Sequence, residues 1–206
     1  MIDTAFLITS FVTLFVIVDP IGLTPIFLAL TQGMTPRQRR SIAIRATVIA
    51  AVLLALFAAL GEAVLGFVGI SMPAFRIAGG VLLFLTALDM LFERRNKRRE
   101  DRSEDDDIDD PSVFPLAIPL IAGPGSIATV ILLTGQQPGF AGFAMVMGVV
   151  VCVLAILLVM CLFSGLFERL LGKTGITVVT RLLGMLLAAL SVQFVLDGLR
   201  AYGFAA

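Results

Sequence analysis

The chain has 206 residues, of which 59% are hydrophobic and only 15% charged, with a mean hydropathy of +1.05; soluble domains carry roughly 45–50% apolar and about 25% charged residues. The formal charges cancel, so nothing electrostatic recruits a nucleic acid. There is no histidine, which removes the commonest metal ligand and general base.

The N-terminus reads MIDT, without the positive n-region of a cleaved signal, so the first helix is expected to be retained. That first apolar segment runs from about Thr4 to Thr31 and is interrupted around Asp19–Pro25. Gly33 stops it. Thr35-Pro36-Arg37-Gln38 then predicts a new helix, with Thr35 as N-cap, Pro36 at N1 and Gln38 closing a capping box. This second segment reaches about Gly69, and Ala51, Ala55, Ala59 and Ala63 predict a small-residue ridge for close helix packing. The third runs from Ser71-Met72-Pro73 to about Phe92.

A charged stretch follows at 93–111, a basic block (Arg94, Arg95, Lys97, Arg98, Arg99, Arg102) giving way to an acidic one ending at Asp110. It is expected to be a solvated linker. Asp105, Asp107 and Asp109 alternate like calcium-loop ligands, but the glycine and terminal glutamate of such a loop are missing. From 111 to 167 there is no Asp, Glu, Lys or Arg. A crossing takes about 20 residues, so the chain is an integral membrane protein. The fourth segment starts near Ser112, breaks at Pro119–Pro124 and ends by Gly135; the fifth spans about Pro138 to Phe167, the sixth about Ile176 to Tyr202. Cys152 and Cys161, nine apart on one helix, point to opposite faces and are expected to be small buried hydrophobes, not a disulfide.

Arginine and lysine gather in loops one, three and five, leaving only Arg76 and Arg200 opposite. The positive-inside rule then puts both termini outside the cytoplasm. Internal similarity supports two halves, 1–92 and 112–206, joined by the 93–111 linker. Phe15, Pro20 and Pro25 share an F-x4-P-x4-P spacing with Phe114, Pro119 and Pro124, and Arg76-x-x-Gly79 with Thr86 matches Arg181-x-x-Gly184 with Ser191. Three helices per half is an odd number, so the second half is expected upside-down relative to the first. The expected architecture is all-α: six transmembrane helices as two inverted three-helix repeats, with helices 1 and 4 broken.

Proline inside a lipid-embedded helix removes a backbone donor, and lipid offers no replacement. Matched breaks in two halves are the best sequence pointer to a transporter's binding site. Thr24 can cap and Pro25 can open one half-helix; Gly123-Pro124-Gly125-Ser126 does the same in the second. Two N-termini converging near the midplane suit a carboxylate or another anion. Asp19, beside Pro20, has Ile118 as its counterpart. A carboxylate at that depth costs a few kcal/mol on insertion scales. It can accept an ammonium, bind a cation, carry a proton, or serve structurally beside Arg76 or Arg181. Gln193 is expected to line the cavity or bridge helices.

The segments Asp-Pro-Ile-Gly-x-x-Pro-Ile-Phe-Leu (19–28), Pro-Leu-x-Ile-Pro-Leu-x-Ala-Gly-Pro-Gly-Ser (115–126) and Arg-Ile-Ala-Gly-Gly (76–80) resemble the MarC/SnatA family of bacterial inner-membrane proteins. The resemblance covers nearly the whole chain and implies six transmembrane helices and, through SnatA-type proteins, transport of small neutral amino acids such as glycine and alanine. The family often carries Asn after the first DPIG, where this chain has Leu23.

The resulting expectation is a secondary transporter without a resident cofactor, driven by exchange or by a proton or sodium gradient. Its partners are the bilayer and a small substrate. The substrate site is assigned to Asp19, Pro20, Gly22, Thr24, Pro25, Gly123, Pro124, Gly125 and Ser126. An intramembrane aspartyl hydrolase using Asp19 with Asp197, and a non-transporting scaffold, are the competing expectations.

Overall fold

A computed structural model describes residues 4–92 and 110–203, without the side chains at 168, 169 and 173. The basic block and the aspartates of the linker before Asp110 lie outside the described residues. The elements are α1 (Thr4–Val18), α2 (Pro20–Leu30), α3 (Pro36–Val68), α4 (Met72–Leu91), an irregular segment α5 (Ser112–Ile121), α6 (Pro124–Gln136), α7 (Phe140–Leu162) and α8 (Ser164–Tyr202). Five helices are long and apolar enough to cross a membrane, counting α1 and α2 as one span; α5 and α6, bent by 54°, make a sixth when taken together.

Helix boundaries follow local chemistry. The capping box at α3 is present: Gln38 N–H donates to Thr35 Oγ1 at 3.4 Å and Thr35 N–H to Gln38 Oε1 at 2.9 Å. Gly69 ends α3 in the left-handed region. The fifth segment is shorter than its apolar run suggests: it turns at Phe163, and α8 starts at Ser164 with a break at Gly172, φ 61°. Within this long element the apolar span begins at Thr174.

Helix α3 shows which solvent the fold is built for. Ala43, Ala46, Ala50, Ala58 and Gly61 are buried, with Leu54 and Leu65, whereas Ile44, Val48, Val52, Leu56, Leu60 and Val64 are exposed. Large apolar side chains facing outward are expected where the surroundings are lipid tails. Small residues facing inward let backbones approach. The packing ridge is therefore one residue out of register with the expected Ala51–Ala63 series: Ala59 and Ala63 are exposed.

The seam between α4 and α8 is closed by glycines. A Cβ at Gly80 would lie 2.7 Å from Val195 Cγ2 and 2.8 Å from the Ser191 carbonyl; one at Gly184 would lie 3.0 Å from Met90 Cβ. Other helix neighbours cross between the halves: α3 with α5, α6 and α7; α7 with α1 and α2; α4 with α6; α2 with α8; and α1 with α6 and α8. Residues of the first half thus share one apolar core with those of the second, from Leu14 and Phe27 to Val130 and Val153.

The chain's two faces are marked by contacts. On one, Gly135 meets Met72 and Gly198 meets Pro73 and Ile77, joining the end of α6 and of α8 to the start of α4. On the other, Arg45 near the start of α3 pairs with Asp110 at 2.6 Å, and Arg39 Nε donates to the Thr31 carbonyl at 3.1 Å.

Candidate functional site

The first span breaks at Asp19, not at Thr24. Asp19 is the only non-glycine residue among those described with positive φ (53°, ψ 63°). Its carboxylate Oδ1 accepts the Gly22 N–H at 3.0 Å and caps α2, with Pro20 at N1. Aspartate is one of the few side chains that tolerates this conformation. Gly22 is required there, because a Cβ would overlap the Asp19 carboxylate. Asp19 is wholly buried.

The expected helix start at Thr24–Pro25 is therefore corrected. Both residues lie inside α2, and the Thr24 hydroxyl donates to the Pro20 carbonyl at 2.8 Å. Prolines at 20 and 25 remove the amides that would serve the Val16 and Ile21 carbonyls. The equal proline spacing misleads because different prolines open the half-helices: Pro20 in the first half and Pro124 in the second. These are 104 residues apart, close to the 105 that separates Arg76 from Arg181 and unlike the 99 between Phe15 and Phe114.

In the second span α5 is wound in wide turns: Leu116 N–H reaches the Pro111 carbonyl at 3.3 Å and Ala122 N–H reaches Ala117 at 2.9 Å. Extended residues at Phe114 and Ile118 interrupt it. Helix α6 opens as expected, with Gly123 as N-cap and Pro124 at N1. No side chain caps it. A Cβ at Gly123 would overlap the Pro119 carbonyl, so glycine is set there by close backbone approach.

The two half-helix termini are consequently unlike. That of α2 is already served by a carboxylate; that of α6 keeps the Gly125 and Ser126 amides and the partial positive charge of a helix N-terminus. The breaks also meet. A Cβ at Gly125 would lie 3.4 Å from Ile17 Cγ2, two residues before Asp19, 3.4 Å from Leu83 Cδ2 and 3.9 Å from Thr86 Oγ1. Gly22, Thr24, Gly123 and Ser126 are buried, Pro25 and Gly125 half-buried, and Pro124 exposed. Of the larger cavities, one of about 400 Å³ lies between Ala58, Glu62, Thr134 and Phe140, and one of about 510 Å³ between Arg39, Arg40, Leu162 and Ser164. Neither is lined by the break residues, but a third, of about 530 Å³, is lined by Phe15 and Ile21 at the first break together with Ile156 and Val159 of α7.

Other candidates are elsewhere. Gln193 is exposed and donates to Asp197 Oδ1 at 2.8 Å on its own helix, so it neither lines a cavity at the breaks nor bridges helices through that bond. Asp197 also faces Arg200 at 3.9 Å. Both cysteines are free; Cys161 is buried, but Cys152 is exposed, contrary to expectation.

Four hydroxyls escaped the sequence reading. Ser10 and Thr13 on α1, Thr129 on α6 and Thr180 on α8 are buried and make no hydrogen bond among the described residues. Each such group costs roughly 1–3 kcal/mol relative to a satisfied one. The available signal was Ser10 and Thr13 on one stripe of an apolar helix, at i and i+3.

Residues 4–202 match the family described as MarC family integral membrane protein. Similar chains include a UPF0056 membrane protein of Archaeoglobus fulgidus, 39% identical over 95% of this chain and 92% of that one. The UPF0056 inner membrane protein YhgN of Escherichia coli K12 is 35% identical over 95% and 97%. The UPF0056 membrane protein YvbG of Bacillus subtilis is 36% identical over 95% of each. No solved structure matches. With the family matched from the first described helix to the last, and apolar helices long enough to cross a bilayer, the chain belongs to the MarC family of integral membrane proteins.

Proposed function

We propose that this protein is a secondary transporter of small neutral amino acids or similar small zwitterions, with no chemical step, working by alternating access in a bacterial inner membrane. The observation that carries this reading is the uncapped N-terminus of α6 set against the last turn of α1, beside the buried Asp19. Buried dipoles and charges at a membrane helix break are functional by default. A substrate carboxylate takes the Gly125 and Ser126 amides, and its ammonium faces Asp19. A proton or sodium ion at Asp19, helped by the Val16 and Ile21 carbonyls, couples the cycle. The α2 terminus takes no part in holding the carboxylate, because Asp19 already occupies it.

The packing pattern supports two related halves. Exchanging α1 with α5, α2 with α6, α3 with α7 and α4 with α8 turns the neighbours α1·α7, α2·α7 and α2·α8 into α5·α3, α6·α3 and α6·α4, all of which also occur. We take these halves as the inverted repeats, six crossings in all, with both termini outside. The resemblance of the two break motifs to SnatA-type proteins points to glycine and alanine.

The test is uptake of a radiolabelled amino-acid panel into vesicles reconstituted with purified protein, with and without proton and sodium gradients. Saturable uptake of small neutral amino acids is expected. Folded protein that neither binds nor moves any zwitterion overturns the reading.

A further inference from the structure

Hydroxyls on these helices fall into two sets. Thr24, Thr31, Thr47, Thr86 and Thr134 each donate to the carbonyl four residues back at 2.8–2.9 Å, the ordinary way a membrane helix hides a hydroxyl. Ser10, Thr13 and Thr129 do not, although they are 0%, 1% and 0% exposed. Three of the four exceptions fall on α1 and α6; the fourth, Thr180, is on α8. On α1, positions 10, 13 and 17 form one stripe, and Ile17 abuts Gly125 on α6. Helix α1 starts, and α6 ends, on the same face of the protein. One turn back from Ile17 is Thr13, one turn on from Gly125 is Thr129, and Ser10 lies a further turn toward that face. The three hydroxyls therefore follow the α1–α6 seam from the face where α1 begins down to the two breaks.

The seam is also where the two halves differ. Helix α1 packs on α6 and α8, whereas α5, its counterpart under the exchange described above, packs on α3 without a comparable contact to α2 or α4. The remaining cross-pairs have their exchanged partners, so the contacts of α1 with α6 and with α8 are the two without a comparable counterpart.

We propose that Ser10, Thr13 and Thr129 line a hydratable path along the α1–α6 seam, shut in this conformation, through which water and a small zwitterion reach the break at Asp19 and Gly125. This rests on the transport reading. The chemistry is specific to that class of ligand: hydroxyls both donate and accept, so they serve an ammonium, a carboxylate or water in turn. None of the three carries a charge that would hold either end.

The experiment uses full-length protein in vesicles with Cys152 and Cys161 replaced by alanine. Thr13→Cys, Thr129→Cys and, as control, Val130→Cys are exposed to a membrane-impermeant methanethiosulfonate. Val130 is equally buried on the same helix but sits in the apolar core. The positions 13 and 129 are expected to react at least about tenfold faster than 130, and saturating glycine to slow them. Equal rates at all three positions, or no reaction at 13 and 129, overturn the proposal. Thr13→Val with Thr129→Val gives the second readout. Removing unsatisfied hydroxyls is expected to leave the melting temperature unchanged or higher, so a folding defect does not confuse the result. Flux is expected to fall about tenfold, a loss of roughly 1.4 kcal/mol; unchanged flux overturns the path. If wild-type vesicles carry no substrate while 13 and 129 still react, the transport reading fails and the hydrated seam stands.

Discussion

At Asp19 the backbone turns left-handed in the interior of a membrane span, and the same side chain caps the helix that follows. Backbone shape, cap and charge can be separated by substitution. Asparagine tolerates the left-handed conformation and keeps an oxygen for the Gly22 N–H, so Asp19→Asn is expected to melt within a few degrees of wild type while losing amino-acid flux. Asp19→Ala loses the cap and the conformational tolerance as well. It is expected to be less stable by about 1–3 kcal/mol, from the usual size of a cap and of a left-handed alanine, and also inactive. Thermal melts in detergent and vesicle flux check both, and an active Asp19→Asn would remove the charge from the mechanism. Asp110 is a different kind of carboxylate, outside the spans. Hydrogen bonds from the Ser112 side chain at 2.6 Å and backbone at 3.0 Å, and then Arg45, hold its carboxyl below the usual range. A depressed folded-state pKa adds stability that is present at neutral pH and is lost as pH falls through that folded value. The Arg45 pair is half-exposed, so its own contribution is no more than about 1 kcal/mol. Asp110→Asn is therefore expected to lower the melting temperature slightly at pH 7 and to converge with wild type as the pH falls below the usual aspartate range.

Elements were legible in the sequence wherever a local rule decides them. Thr35 and Gln38 gave the start of α3, Gly69 its end and Gly123-Pro124 the start of α6, because caps are settled within one turn of chain. Thr24–Pro25 was misread because Ser/Thr-Pro also marks helix starts. Only tertiary placement reveals that Asp19 has taken the cap and that Thr24 bonds back to Pro20. The alanine ridge on α3 slipped by one residue for a related reason: two stripes of small residues lie side by side, and the neighbouring helices choose between them. Which glycines matter for packing was equally hidden. Gly80 sits under the Ser191 carbonyl and Val195 on α8, whereas nothing approaches a Cβ at Gly66 on α3. Gly80→Ala is expected to destabilise by about 1–3 kcal/mol, since a backbone carbonyl cannot move aside as a side chain can. Gly66→Ala is expected to be neutral or to stabilise by about 0.5–1 kcal/mol through helix propensity. Melting temperatures of the two purified variants in the same detergent decide the point.

In the molecule as a whole, contacts that survive the exchange of halves are distinguished from those that do not. The α4–α6 contact has its exchanged partner in α8–α2, whereas α1–α6 has none of comparable extent. If alternating access rocks one half against the other, paired contacts persist through the cycle and the unpaired ones, α1–α6 and α1–α8, open and close. Two engineered disulfides separate these cases in a background without Cys152 and Cys161. A Cβ at Gly79 on α4 lies 3.7 Å from Ala128 Cβ on α6, close to the roughly 3.8 Å a disulfide prefers. Oxidised Gly79→Cys/Ala128→Cys is therefore expected to form readily and to retain flux. Ile17→Cys/Gly125→Cys bridges α1 and α6 where a Cβ at 125 comes within 3.4 Å of Ile17. Its oxidation is expected to abolish flux, and reductant to restore whatever rate the reduced double variant had beforehand. Comparing each pair with its own reduced form removes the effect of the substitutions, including that at Gly125, which lies in the proposed site. Arrest by both disulfides would mean that α6 moves against α4 as well, so that the rocking axis does not pass through the α4–α6 contact. Arrest by neither would mean that α1 and α6 stay together throughout, and substrate would then have to enter by another seam.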